Sequence, residues 1–475
     1  MSSEATILAR LPESVRVERL KSFRLIPRIE TYPAVVSLAQ TVAGKLGLLT
    51  CFALLLWQAG SSVGLVLPCL AAATFFPKKR HLVVMLATIG FTLAAFLMAG
   101  PGAYPTLVCV AIVFVLGSLL IWLATREQRN FVGRHALLVL FGTFTGLILL
   151  GCYLPARGQS TASLWMFTGV LGSYVWFIGY ALLDNETKPA RELGLEIGSL
   201  RPFWGSTATP FPSGSACLRQ IEAKDAEALA VTQLKGLKLL AWATVLSLTE
   251  GGYNWFFHDY LRIPHFEKAL YLHSVHTPVP WHLCWASLIL FYFHKLFTIS
   301  IWGHQVIACC RMAGFAALRN TYRPLSSTSV AEFFNRYYFY YKELLVYFFF
   351  FPTFLRLPAR LGKLRVSVGI FMAACVGNTY YHFTREIGYI EEHGLGQSIV
   401  TFQVFFFYTV VLAVAIAISR RRNRPDESLG FFRCTLRPAI LVSMFYCLLS
   451  IFSTTDRNYP LSEHLRFLGH LFFLD

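Results

Sequence analysis

Charge is what this chain has least of. Asp, Glu, Lys and Arg make up only 14% of its 475 residues, against 55% hydrophobic and 15% aromatic, with a mean hydropathy of +0.53. Soluble domains carry about 25% charged residues, so a soluble globular protein is excluded. The eleven cysteines contain no Cys-x-x-Cys, and most sit inside apolar runs, as Cys51, Cys109, Cys284 and Cys375 do. A thiol there behaves as a small hydrophobe, and neither a zinc site nor a disulfide framework is supported. There is no nucleotide-binding glycine loop and no Gly-x-Ser-x-Gly elbow, which argues against an ATP-driven pump and a serine hydrolase. No internal repeat is evident, the main objection to a transporter. A cleavable signal peptide is also missing. Residues 1–40 are instead basic and amphipathic, with Leu11, Val15, Val17, Leu20 and Phe23 on one loose face, and predict an in-plane interfacial helix.

What is present is a series of apolar runs long enough to cross a bilayer. They fall near 45–59, 62–76, 82–99, 106–124, 136–154, 163–183, 234–249, 283–302, 366–382, 399–418 and 438–454, with an aromatic block at 337–355. The net charge of +17 does not point to nucleic acid, because the basic residues form no single patch but alternate between loops. Arg10 to Lys45, Lys78 to Arg80 and Arg126 to Arg134 are basic, and the loops between them carry no charge. The excess of Lys and Arg on cytoplasmic loops then predicts a cytoplasmic N-terminus. The expected organisation is an interfacial segment over 1–44, a six-span scaffold over 45–183, a cytoplasmic loop over 184–233, a core over 234–455 and a tail over 456–475. The loop is electrically neutral, with seven basic and seven acidic residues over 184–238, and Phe203 to Ser215 is a run of turn formers. On the outer side by parity, 250–282 holds Glu250, His258, Asp259, His265, His273, His276 and His282 without the fixed spacing of a metal site.

The second half differs in kind. It contains Arg323-Pro-Leu-Ser-Ser-Thr-Ser-Val-Ala-Glu-Phe-Phe-Asn-Arg336-Tyr-Tyr and, at the end of a later apolar run, Gly377-Asn-Thr-Tyr-Tyr-His382. Ionisable groups at bilayer depth are costly and usually face a cavity or pathway. His382 suits a general base, since an imidazole titrates near neutral pH. Glu332 and Arg336 stand four apart and are expected to pair on one helix face. His294 and Lys295 interrupt another run; Lys295 is a candidate for the polar end of a donor, for pairing with Glu250, or for snorkelling to the inner face.

The Pro324, Leu325, Ser326, Ser329, Glu332, Phe333, Phe334, Asn335 and Arg336 pattern, followed by a later helix ending in histidine, resembles the membrane-bound O-acyltransferases, particularly the bacterial branch of D-alanyl and alginate acetyl transferases. The family's first stretch ends Trp-His, where this chain has Tyr337-Tyr338, and Tyr-Tyr precedes His382. The resemblance covers roughly 235–455. It implies an all-α polytopic membrane protein with an acyltransferase-like helical core and re-entrant or in-plane helices around a central tunnel. The implied activity is transfer of an acyl group to a hydroxyl of an extracytoplasmic glycan, lipid or protein. No cofactor is bound; the co-substrate is a cytoplasmic thioester of coenzyme A or an acyl carrier protein. His382 would be the base and Tyr338 a second catalytic residue, with Asn335, Arg336, Glu332, Asn378, Lys295 and His294 lining the path. The implied partners are the bilayer, the acyl donor and an extracytoplasmic acceptor or partner enzyme; nucleic acid is not one. The implied location is multi-pass in a bacterial cytoplasmic (inner) membrane. The aromatic block 337–355 should re-enter or lie in the plane, leaving the basic clusters at 356–365 and 420–424 cytoplasmic and 384–397 outside. A non-catalytic lipid-binding scaffold and a small-molecule transporter are the competing readings.

Overall fold

A computed structural model describes residues 25–58, 63–99, 103–126, 131–154, 159–185, 193–205, 209–421, 430–453 and 459–474. Residues 1–24 of the interfacial helix expected over 1–40, and the arginines at 422 and 424, lie outside this set. Among the described residues the chain is helical with no strand, and seven helices are long and apolar enough to span a membrane. They include Tyr104–Ala124, Ala136–Tyr153, Thr161–Asp184, Ala226–Tyr260 and Trp281–Met312, with Gln403–Arg420 and Phe432–Ser453 later. Pro33–Gln40 and Val42–Gln58 meet at 97° and make an eighth if they cross as one, so the expected straight span at 45–59 is one limb of a bent pair. The chain is an all-α, multi-pass integral membrane protein.

The first half is not uniformly a lipid-facing scaffold. Two-thirds of the apolar window of Thr161–Asp184 is buried, against 22% for Tyr104–Ala124. Trp176, 1% exposed, and its neighbours Val175, Phe177 and Ile178 place this helix inside the bundle. Ala226–Asn254 packs along Trp281–Met312, close enough at Gly236 that a Cβ would meet the Ala308 carbonyl at 3.0 Å. Gln233 ties the pair to Thr74 (2.8 Å) and to the Met312 carbonyl (2.9 Å), and Lys238 ion-pairs with Glu30.

Beyond Met312 the chain doubles back. Tyr338 lies beside Trp302, with ring centroids 6.3 Å apart, ten residues before Met312. Two antiparallel arms follow, residues 339–356 and 363–383, joined by a turn carrying Arg356, Arg360, Lys363 and Arg365. At 1.5 Å per residue they are about 27 and 31 Å long. Each arm contains one π-helical turn, Val346–Phe350 and Met372–Gly377, and the two turns pack together. There Phe349 fills the space where a Cβ on Gly377 would sit 2.5 Å away, and Phe350 does the same at Gly369 (2.8 Å). Phe348 points the other way, onto Gly179 of the buried Gln159–Asn185 helix (2.8 Å). The aromatic block is therefore not an isolated in-plane helix; it is paired along its length with the arm that ends at His382. The basic turn and residues 384–397 lie at opposite ends of that arm.

A cysteine at exposed Ala359 and another at exposed Glu391, each in a background without reactive native thiols, are expected to meet an impermeant maleimide on opposite faces, 391 from outside intact cells and 359 only after permeabilisation. Labelling of both from one side would mean that the return arm does not cross.

The described part of the segment expected to be a cytoplasmic loop is largely buried. Phe203, Trp204, Thr209, Phe211, Ser215 and Leu218 are buried, Phe211 at 0% exposure. The Trp204 indole donates to the Phe211 carbonyl (2.5 Å), and the Phe211 ring packs on Trp302 and Tyr340. Asp184 accepts from the Ala216 amide (2.7 Å) and the Ser215 hydroxyl (3.1 Å), fixing the start of Gly214–Ile221. At its far end Glu222 meets Arg80, 1% exposed, at 2.8 Å. Neutral overall charge had marked this segment as unlike the basic loops, and its aromatic residues explain why it goes inside.

Candidate functional site

The polar motif folds itself before it meets anything else. Ser329 caps Val330–Tyr337 by accepting from the Glu332 amide (3.1 Å), and the Glu332 carboxylate reaches back to the Thr328 amide (2.8 Å) and hydroxyl (3.0 Å), a Ser-x-x-Glu capping arrangement. Glu332 also pairs with Arg336 at 2.6 Å, and Arg336 donates to Ser326 (2.7 Å). Both partners are partly exposed. Glu332 and Arg336 thus hold the 323–329 loop against the helix, and their groups are spent on that loop. Tyr322 donates its amide to the Arg336 carbonyl (2.8 Å), Thr321 its hydroxyl to the Tyr337 carbonyl (2.8 Å) and Phe339 its amide to the Asn320 carbonyl (3.0 Å). This clasp puts Tyr338 (φ −142°, ψ 74°) at the break between the motif helix and the 339–356 arm. The apolar face seats Phe333 on Tyr446, rings 3.9 Å apart, and the Tyr446 hydroxyl donates to the Val330 carbonyl (2.9 Å).

Around that break the structure assembles a tyrosine cluster. The Tyr338 hydroxyl reaches Thr209 (3.4 Å), and Thr209 shares a 2.6 Å hydrogen bond with Tyr381. Tyr341 stands between Tyr338 (5.2 Å between ring centroids) and Tyr381 (4.7 Å) and donates to the Asn378 side-chain oxygen at 2.7 Å. Asn378, 2% exposed, and His382 are one turn apart on the last helix of the return arm, on one face. The half-buried His382 ring is walled by Phe405 (4.5 Å), Tyr381 (5.1 Å) and Tyr341 (5.7 Å). Among the described residues its ring nitrogens take no hydrogen-bond partner, and neither does the side chain of half-buried Asn335. An imidazole with both nitrogens unengaged, one turn from a buried amide, can move a proton beside a neutral donor.

The sequence candidates divide accordingly. His382, Tyr338 and Asn378 come together; Glu332 and Arg336 form a separate structural pair. His294 and Lys295 leave their helix in different directions. His294 contacts Glu250 at 2.9 Å, so the pairing of Glu250 with Lys295 does not occur. Lys295 instead donates to the Ser453 carbonyl (2.9 Å) and hydroxyl (2.5 Å) and lies over the Phe291 ring (4.4 Å). Its backbone carbonyl accepts from Tyr337 (3.3 Å), so Lys295 braces the motif helix from behind. In the 250–282 segment, His258 and His265 stack at 3.8 Å while His273 turns to His470 (5.1 Å). Thr209, Tyr341 and Tyr381 were not anticipated. The signal for Thr209 was Thr-Pro-Phe-Pro, an aromatic residue between prolines in a stretch otherwise rich in turn formers. Two clefts elsewhere, one of about 310 Å³ between Ser367 and Ile418 and one of about 490 Å³ near Arg201, border none of the cluster. No family model matches the chain, and no curated protein matches it.

Proposed function

We propose that this chain is a membrane-embedded O-acyltransferase that moves an acyl group from a thioester donor to a hydroxyl acceptor. The observation that carries the reading is the His382 imidazole, without a hydrogen-bond partner among the described residues, one turn from Asn378, walled by Tyr341, Tyr381 and Phe405, at the end of an arm packed along its antiparallel partner. Neutral His382 removes the acceptor's hydroxyl proton as that oxygen attacks the thioester carbonyl carbon. Negative charge then develops on the carbonyl oxygen, where the Asn378 amide nitrogen and the Tyr338 hydroxyl supply donors. Among the described residues the Tyr338 hydroxyl makes one long hydrogen bond, 3.4 Å to Thr209, while its ring packs on Trp302 and Tyr341. Collapse of the intermediate forms the ester, breaks the carbon–sulfur bond and returns the proton from the imidazolium to the thiolate. A positioned base contributes about 10²–10⁴-fold and an oxyanion donor about 10²–10³-fold, so the rest of the acceleration falls to orientation. The donor is a coenzyme A or acyl carrier protein thioester; the acceptor lies in or beyond the membrane, and the protein sits in a bacterial inner membrane.

Tyr338→Phe tests the oxyanion role. Its rate of acyl transfer is expected to fall by roughly a hundredfold or more, equivalent to about 2.7–4 kcal/mol, with expression unchanged. A rate within about twofold of the parent, where an oxyanion donor is worth at least a hundredfold, would make Tyr338 a packing residue and transfer the donor role to Asn378 alone. The second reading, a non-catalytic lipid-binding relative, draws on two observations. Neither cleft borders His382, and the family's terminal Trp-His is replaced by two tyrosines.

A further inference from the structure

The larger cleft, about 490 Å³, lies on the outside of the first half, between the helices Arg80–Ala99, Tyr104–Arg126 and Gln159–Asn185. Phe91, Val110, Met166 and Val170 give it apolar walls, Thr92, Thr106, Ser173 and Tyr174 add hydroxyls, and Arg201 closes one end. Arg201 is exposed, and its guanidinium donates only to the Tyr174 hydroxyl (3.2 Å) while lying 5.6 Å from that ring; among the described residues it has no carboxylate partner. Its position is unusual. Leu193–Ser199 runs beside the Arg80–Ala99 helix, and Thr88 donates to the Arg201 carbonyl at 3.0 Å. Eight residues separate Thr88 from Arg80, so Arg201 stands about 12 Å along an apolar helix from its basic end. An uncompensated guanidinium at that depth is expensive unless an anion meets it. From Tyr174 the cleft continues along the Gln159–Asn185 helix to Met166, about 12 Å away at 1.5 Å per residue, with apolar sides. A charged end and an apolar trough are the two halves of an amphiphile. Lys78 and Lys79, exposed at the near end of the same helix, would gather anionic lipid in the adjoining leaflet.

We propose that this cleft is a binding site for one anionic glycerophospholipid, its phosphate on Arg201 and an acyl chain along Val170 and Met166. Eight residues downstream of Arg201 on the same segment, Thr209 bonds Tyr381, so the lipid anchors the strand of chain that also reaches the tyrosine cluster. The inference is independent of acyl transfer, since its readout is retention of lipid and applies equally to the His382→Ala variant.

The test uses the full chain, purified and equilibrated with vesicles of equal parts phosphatidylglycerol and phosphatidylcholine, then analysed by native mass spectrometry. One retained phosphatidylglycerol per chain is expected, favoured about fivefold or more over phosphatidylcholine, the ratio for a single basic contact. Arg201→Gln should abolish the preference and Arg201→Lys keep most of it. Gly169→Leu, at a wall position where a Cβ meets nothing within 4 Å, should displace the lipid without touching Arg201, which covers the case in which Arg201→Gln does not fold. Equal retention of the two lipids by the parent, or unchanged retention in Gly169→Leu, would overturn the assignment. So would displacement of the lipid by inorganic phosphate alone, because the trough would then contribute nothing.

Discussion

His382→Ala should abolish acyl transfer while leaving the protein in the membrane at parental levels. The imidazole lies against the rings of Phe405, Tyr381 and Tyr341 and accepts or donates no hydrogen bond among the described residues, so its removal strands no hydrogen-bond partner there. A lost base lowers the rate by about two to four orders of magnitude. The measurement is ester formation in membranes supplied with labelled acetyl-coenzyme A or acyl carrier protein thioester, beside a detergent-extracted melting curve. Undiminished product would remove His382 from the chemistry. Loss of product with a collapsed melting curve would instead make His382 a packing residue.

The largest effect on stability is expected at Glu222. Arg80 is fully enclosed, lies over the Phe315 ring, and has one carboxylate partner, with the Ala223 carbonyl as a second acceptor at 3.2 Å. Burial lowers the affinity of its guanidinium for the proton, and the Glu222 carboxylate opposes that without cancelling it. Its Nε and second terminal nitrogen already lack partners. Glu222→Ala would leave a buried cation without its counter-charge and should destabilise by roughly 2–4 kcal/mol, in the lower part of the range for a broken buried pair because Glu222 keeps access to water. A double replacement, Arg80→Met with Glu222→Ala, should recover most of the loss. The check is thermal melting in detergent for all three variants. A single Glu222→Ala shift within 0.5 kcal/mol of zero, the range of an ordinary surface substitution, would show that the pair is solvated.

What could be read from residues alone follows from which forces are local. The Ser329 cap, the Glu332–Arg336 pair and the break at Tyr338 all arise within ten residues, and the motif contains their partners. Bilayer-length helices such as Tyr104–Arg126 were visible because lipid imposes length and apolarity on each one separately. Long-range choices left no such trace. Lys295 is satisfied by a backbone carbonyl 158 positions away at Ser453, and any carbonyl could have served. Phe203 to Ser215 read as loop, and its described part is loop as far as the helix that starts at Gly214, but turn residues say nothing about whether a turn is wet. Charge counting separated the basic turn at 356–365 from 384–397 without revealing that 339–356 would lie along 363–383, because shape and not charge makes that match.

Three consecutive phenylalanines, 348 to 350, each occupy the vacancy left by a different glycine, at 179, 377 and 369. In lipid there is no hydrophobic gain from bringing two apolar helices together, so complementary relief is among the few means of deciding how one slides against another. The trio acts as an index pin with three detents, two on the partner arm and one on a helix from the opposite half of the sequence. Its third detent makes the amino-terminal bundle the reference against which the arm carrying His382 is seated, and Trp176 of the same helix as Gly179 completes the register by packing on Tyr381, 5.4 Å between ring centroids.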